Sequence, residues 1–146
     1  MAYNSKDFNS KIRRLETPAY QIYLKNTEIH NQDFEEFLRE IHPNKNDFIF
    51  LDPPYDSKFS TYDQNSFSRN DHRRLANIMK NTKAKFLMVI KKSDFVMDLY
   101  STIPGVYIQM FNKRYMVSFQ NRNSKKAKHM IISNYPLSLF SKINSQ

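Results

Sequence analysis

Cysteine is absent from this sequence of 146 residues, and glycine occurs once, at Gly105. Without cysteine the chain contains no disulfide, no thiolate metal ligand and no thiolate nucleophile, which fits a reducing compartment. Average glycine usage would supply about ten glycines in a chain of this length. A single glycine excludes a glycine-rich loop, in which missing side chains let the backbone approach a bound ligand closely.

Long apolar runs are also missing. The longest aliphatic run is Leu87-Met88-Val89-Ile90, whereas a membrane-spanning helix needs about 20 residues. The first residues do not resemble a signal peptide, so we expect a cytoplasmic location and no membrane partner. The histidines lack the spacing of a metal-binding motif, and no metal site is predicted.

Positive charge is in clear excess. Lys and Arg number 23 against 14 Asp and Glu, which gives a formal net charge of +9 and favours a polyanionic partner such as nucleic acid. The densest basic cluster contains Arg114, Arg122, Lys125, Lys126 and Lys128. It is a candidate for phosphate contacts. For any single lysine, a solvated loop kept soluble by its charge is an equally open interpretation.

The pattern of apolar residues predicts an α/β fold with a mixed sheet. Helices are predicted to begin after Asp33, Ser68 and Ser93, each a favourable N-cap residue. Strands or extended segments are predicted over residues 48–51, 85–90, 106–111, 115–119 and 130–132. Residues 20–30 allow a short strand, and residues 1–17 show no clear period, so we expect a loop or a loosely held arm there.

The run Asp52-Pro53-Pro54-Tyr55 follows the apolar strand candidate directly. Open α/β sheets bind ligands at the carboxyl ends of their strands, and two prolines make the chain stiff and extended at this point. The Asp52 carboxylate and the Pro53 carbonyl can both accept hydrogen bonds from one exocyclic amine, while Tyr55 can stack on a base. An ordinary strand followed by a turn is also compatible with these residues.

These residues resemble the catalytic motif of Dam-like, adenine-specific DNA methyltransferases that use S-adenosylmethionine. Residues 59–67 match that family's pattern of Phe, Ser or Thr, any residue, Tyr, four variable residues and Phe. Residues 121–126 and 129–135 resemble the basic loop and final strand of such proteins, and residues 3–9 resemble the end of the target-recognition region. The resemblance extends over roughly residues 3 to 137.

The resemblance implies the second half of a Rossmann-like methyltransferase sheet, mixed with a C-terminal antiparallel hairpin. Residues 1–17 would then be a basic arm ending the target-recognition region, 18–137 a partial catalytic domain, and 138–146 a polar tail. The family's glycine-rich cofactor loop has no counterpart in this sequence. We therefore expect a fragment that is inactive alone and is completed by a second chain supplying the cofactor-binding half. The alternatives are a non-catalytic, basic nucleic-acid-binding module or, less favoured, methylation of RNA or protein.

The resemblance also assigns individual residues. The implied reaction is transfer of a methyl group from S-adenosylmethionine to the amino group of a flipped adenine in double-stranded DNA. The implied catalytic residues are Asp52, Pro53, Pro54 and Tyr55; the implied cofactor contacts are Asp33, Phe34, Phe50 and Asp52; the implied DNA contacts are Lys58, Tyr62, Asn65, Arg114, Arg122, Lys125 and Lys126. For Asp33, helix capping and cofactor contact are both open, and the two roles are compatible.

Overall fold

A computed structural model describes residues 5–56, 67–113 and 127–137 of the chain. The chain divides into two compact units, Met1–Phe37 and Leu38–Gln146. The second unit contains the sheet and the Asp52 to Tyr55 loop.

The first unit is helical. Helix α1 covers Ser5–Leu15 and helix α2 covers Pro18–Lys25, so the loop expected before residue 18 and the strand expected over 20–30 were both wrong. In α1, Phe8, Ile12 and Leu15 have the spacing of one helix face. The many polar and charged residues between them made this apolar stripe hard to detect in the sequence. In α2, Pro18 occupies the first turn, where its fixed φ favours a helix over a strand.

Helix α3 covers Phe34–Ile41. The Glu35 N–H donates to Asp33 Oδ1 at 2.9 Å, which confirms the predicted capping role of Asp33. The helix ends before His42, whose φ of +47° lies in the left-handed region. Pro43 follows and cannot continue the helix.

The second unit contains a mixed sheet in the order β1-β2-β4-β3, built from β1 Phe48–Leu51, β2 Lys85–Lys91, β3 Tyr107–Lys113 and β4 Ala127–Ser133. Strands β1 and β2 are parallel, and β4 is antiparallel to both of its neighbours. The predicted α/β class with a mixed sheet is confirmed. The extended segment predicted over residues 115–119 lies outside the described residues.

Helices α4, Arg69–Asn81, and α5, Asp94–Ser101, begin at the two predicted caps. Ser68 and Asp71 form a reciprocal capping box at the start of α4. Ser93 accepts a hydrogen bond from the Val96 N–H at the start of α5. Both helix starts were therefore predicted correctly from the local sequence, because a capping side chain pairs with backbone N–H groups that the helix itself leaves unpaired.

The sheet supplies much of the core. Phe86, Met88 and Ile90 alternate along β2 and are fully buried. In the register of the sheet, Met88 pairs with Ile132 and Ile90 with Met130, so these side chains share one face. Helices α4 and α5 add Leu75, Ala76, Met79, Val96 and Tyr100 to the buried set.

Asn134 joins the ends of two strands. Its Nδ2 donates to the Ala84 carbonyl at 2.8 Å, and its Oδ1 accepts from the Phe86 N–H at 2.9 Å. Both Ala84 and Phe86 are fully buried. The side-chain amide therefore satisfies two backbone groups at the start of β2, where an unpaired group would be costly.

Candidate active site

The Asp52 to Tyr55 loop leaves the sheet at the carboxyl end of β1. Asp52, Pro54 and Tyr55 are exposed, and Pro53 is half-buried. Because β1 and β2 run in parallel, their carboxyl ends lie at the same edge of the sheet, where ligands bind in open α/β folds. The Asp52 carboxylate is thus accessible to a ligand at the predicted place.

Tyr55 contacts a buried histidine on β4. Its hydroxyl lies 3.4 Å from His129 Nε2, and the two rings meet edge to face with centroids 5.7 Å apart. His129 Nδ1 lies 3.2 Å from the Ala127 carbonyl. In the tautomer with Nδ1 protonated, Nδ1 donates to that carbonyl and Nε2 accepts from the Tyr55 hydroxyl. His129 therefore helps to set the position of the Tyr55 ring.

Phe111 completes this aromatic contact from β3, with its ring centroid 5.5 Å from that of His129. His129 is only 1% exposed, whereas Tyr55 is 36% exposed. The histidine is thus a buried support, and the tyrosine keeps part of its ring accessible. Sequence reasoning missed His129 because 74 residues separate it from Tyr55 and no local pattern marks the pair.

The next residue, Asp56, ties the loop to α4. Arg69 Nε and Nη2 donate to the two Asp56 carboxylate oxygens at 2.9 and 3.1 Å. The hydrogen bonds from Arg69, with a smaller contribution from Ser93, lower the pKa of Asp56 below its ordinary value. A two-pronged contact of this kind fixes both partners geometrically, so Asp56 is held against the start of α4.

His72 lies beneath this contact. It is 1% exposed, with the Phe67 and Phe95 rings at centroid distances of 4.8 and 6.1 Å. Among the described residues neither of its ring nitrogens has a hydrogen-bond partner. Burial lowers its pKa, because the protein interior disfavours the charged form. His72 therefore acts as a neutral, largely apolar packing residue.

The expected cofactor contacts fall into two groups. Phe50 is 60% exposed and precedes Asp52 at the end of β1, so these two residues lie on the same strand end. Asp33 and Phe34 stand at the start of α3, within the other compact unit. The second unit by itself therefore contains only part of the predicted cofactor site.

The expected DNA contacts lie outside the described residues. This holds for all seven of them: Lys58, Tyr62, Asn65, Arg114, Arg122, Lys125 and Lys126. They stay predictions. Within residues 5–56, 67–113 and 127–137, no group of His, Asp or Glu side chains has a metal-binding arrangement, and no helix has the length and apolar composition needed to cross a bilayer.

Comparison with known proteins identifies the family to which the chain belongs. Residues 1–119 match the model of the D12 class of N6 adenine-specific DNA methyltransferases. The chain belongs to this D12 class. It is 36% identical over 119 residues to the Type II methyltransferase M.CviBI of Paramecium bursaria Chlorella virus NC1A, a match covering 80% of this chain and 44% of the viral protein.

Membership of the D12 class confirms the resemblance stated from the sequence. The D12 class methylates adenine in DNA, and its members use S-adenosylmethionine as the methyl donor. This D12 chain spans less than half the length of the viral relative that it matches. The roles of individual residues are therefore developed below as proposals.

Proposed function

We propose that this chain is part of an enzyme that methylates the N6 amino group of an adenine flipped out of double-stranded DNA. The main support for this proposal is the Asp-Pro-Pro-Tyr loop, in which the exposed residues Asp52 and Tyr55 follow the carboxyl end of β1. The chain that contains this loop is a member of the D12 class. A base inside a duplex is inaccessible, so the target must leave the stack to reach such a loop.

In this proposal Asp52 and the Pro53 carbonyl orient the amine. Both accept hydrogen bonds from the same NH₂ group, which directs the nitrogen lone pair away from them. S-adenosylmethionine, when bound, supplies a methyl group activated by a positively charged sulfur. The Asp52 carboxylate also stabilises the positive charge that develops on the nitrogen. The amine would attack the methyl group as its bond to sulfur breaks, and would lose its proton afterward, so no strong base is required and the loop contributes mainly alignment.

Tyr55 is proposed to stack on the flipped base. Stacking of this kind contributes about 1 to 3 kcal/mol per base. The hydroxyl of Tyr55 points to His129 and its ring keeps an exposed part, an arrangement that leaves ring surface for a base while the other end is held. His129 is thus proposed as a positioning residue for Tyr55.

The cofactor site is proposed to be shared with further protein. Phe50 and Asp52 would contact the methyl donor from β1, and Asp33 and Phe34 from α3, while a glycine-rich loop is absent from the sequence. Strand β1 stands at one end of the strand order in the described sheet, and Phe48 and Phe50 are 57% and 60% exposed. Unpaired strand edges and exposed apolar surface favour association with another segment, which we propose supplies the cofactor-binding half.

The test begins with binding of S-adenosylmethionine, measured by calorimetry. We expect little heat with the chain alone, and a saturable signal once the part of the viral relative that this chain does not match is added. Strong binding by the isolated chain would contradict the shared site. Methyl transfer to duplex DNA is then measured on the reconstituted mixture.

Asp52→Ala tests the catalytic assignment in that mixture. We expect loss of methyl transfer with DNA binding preserved, because Asp52 is assigned to the amine and not to phosphates. Asp98→Ala is the matched control, since Asp98 is an exposed aspartate on α5. Near-normal turnover by Asp52→Ala would refute the assigned role.

A second candidate function is that of a basic nucleic-acid-binding module without catalysis. The net charge of +9 combined with a single glycine favours it. In that case DNA binding is strong while no partner restores methyl transfer. Offering RNA or protein in place of DNA in the reconstituted mixture tests the remaining alternative substrates.

A further inference from the structure

Two arginines of α4 share one aromatic ring of α5. The guanidinium carbon of Arg69 lies 4.7 Å from the centroid of the Phe95 ring, and that of Arg73 lies 5.2 Å from the same centroid. The two arginines are four residues apart and therefore lie on the same face of the helix. Phe95 is half-buried in the first turn of α5, so the ring is a fixed support for both cations.

Within the described residues, one of these two cations has an ion-pair partner and the other has none. Asp56 binds Arg69 through both carboxylate oxygens. The neighbouring charges are paired elsewhere, Asp71 with Arg74 at 2.8 Å and Asp94 with Lys92 at 2.7 Å. Arg73 is exposed and makes no ion pair with any residue in the described ranges. In the part of the chain that the structure describes, one positive charge therefore remains unpaired beside Phe95.

The ring restrains Arg73 without neutralising it. A guanidinium held on an aromatic face keeps its charge and its planar set of N–H donors. Such a group is suited to a phosphate, which accepts two parallel hydrogen bonds.

A chain of contacts connects Arg73 to the Asp52 to Tyr55 loop. Asp56, which binds Arg69, directly follows Tyr55 in the chain. Arg73 is therefore connected to the Asp52 to Tyr55 loop through Phe95, Arg69 and Asp56 in turn. A phosphate bound there would belong to a nucleotide close to the flipped one.

We propose that Arg73, held on Phe95 beside Arg69, contacts a backbone phosphate of DNA next to the Asp52 to Tyr55 loop. The inference rests on DNA being the substrate in the proposed function. It adds a phosphate contact made from α4, separate from the basic residues 114–126. Phosphate contacts position the duplex and carry no sequence preference of their own.

The test is the salt dependence of DNA binding by the whole chain, followed by fluorescence anisotropy of a labelled duplex at several NaCl concentrations. Arg73→Gln should weaken binding and reduce the slope of log K against log salt by about 0.9, the value expected for one lost phosphate contact. Lys80→Gln is the matched control. It removes the same charge from the same helix, about 10 Å further along the axis, and should change the slope far less.

Two more variants test the geometry. Phe95→Leu keeps every charge but removes the ring, and should weaken binding because Arg73 loses its support. Arg73→Lys keeps the charge without the planar fork, and should bind with an affinity between those of the wild type and Arg73→Gln. Circular dichroism of each variant verifies folding. If Arg73→Gln fails to fold, Arg73→Lys replaces it in the measurement of DNA binding.

The outcomes separate this inference from the function on which it rests. If neither the wild-type chain nor the reconstituted mixture binds duplex DNA at low salt, the proposed DNA substrate fails as well. If the wild type binds and Arg73→Gln shows the same slope as Lys80→Gln, only the Arg73 contact is overturned.

Discussion

Replacing Asp71 by Asn should lower the free energy of unfolding at neutral pH, and this loss should diminish in acid. Asp71 accepts hydrogen bonds from the Ser68 hydroxyl and backbone N–H at 2.6 and 2.8 Å, and from Arg74 at 2.8 Å. The hydrogen bonds from Ser68, followed by that from Arg74, lower the pKa of Asp71 from 3.8 to about 2. The ionised carboxylate therefore contributes to the stability of the start of α4.

The size of the effect follows from this pKa. By linkage, the lowering corresponds to about 2 kcal/mol of stabilisation. The side chain is 24% exposed, so solvent reduces the expected loss in Asp71→Asn to about 1 kcal/mol, similar to the loss of an N-cap. Because the pKa is lower in the folded state, the stabilisation is complete above about pH 5 and declines as the pH falls toward 2.

Urea unfolding of both proteins from pH 7 down to pH 3 measures this difference. Other groups that titrate in the same range affect both proteins, so the difference in the free energy of unfolding isolates Asp71. Asp98→Asn removes an exposed carboxylate on α5 and should change stability by less than about 0.5 kcal/mol. A difference that is absent at pH 7, or that stays constant down to pH 3, would refute the reasoning.

Two further predictions concern contacts between distant parts of the chain. Asn134→Ala removes two hydrogen bonds and leaves the buried Phe86 N–H unpaired, so the free energy of unfolding in urea should fall by about 2 kcal/mol. The control Asn81→Ala removes one exposed hydrogen bond and should lower the free energy of unfolding far less. Equal losses in the two variants would contradict the role of Asn134. Tyr55→Phe removes the hydroxyl beside His129 Nε2, so the ¹⁵N chemical shift of that nitrogen should change in NMR spectra of the whole chain. The control Tyr107→Phe should leave this chemical shift unchanged. An unaltered chemical shift in Tyr55→Phe would rule out the hydrogen bond.

The parts of the fold that sequence predicted correctly depend on local signals. Ser68, Ser93 and Asp33 each lie at a helix start and have a side chain that pairs with a nearby backbone N–H. Strands β1 and β2 are short apolar runs bounded by polar residues. In these places the chemistry that determines the structure lies within a few residues along the chain.

The errors arose where a short pattern fits two structures. Apart from Gln21, the run from Tyr20 to Leu24 is apolar and aromatic, which suits a strand as well as a helix turn. The preceding Pro18 favours the helix α2. The supports of the candidate site were missed for a different reason. His129 beneath Tyr55 and Arg69 beside Asp56 are brought there by tertiary packing, which no local pattern encodes.

The position of β4 between β2 and β3 bears on how the protein is made. During synthesis β2 and β3 emerge first, yet in the described sheet each pairs with β4, which lies further along the chain. Until β4 leaves the ribosome, the buried apolar side chains of β2 lack one of their two neighbouring strands. Nascent or truncated chains ending before residue 127 should therefore depend on chaperones and tend to aggregate.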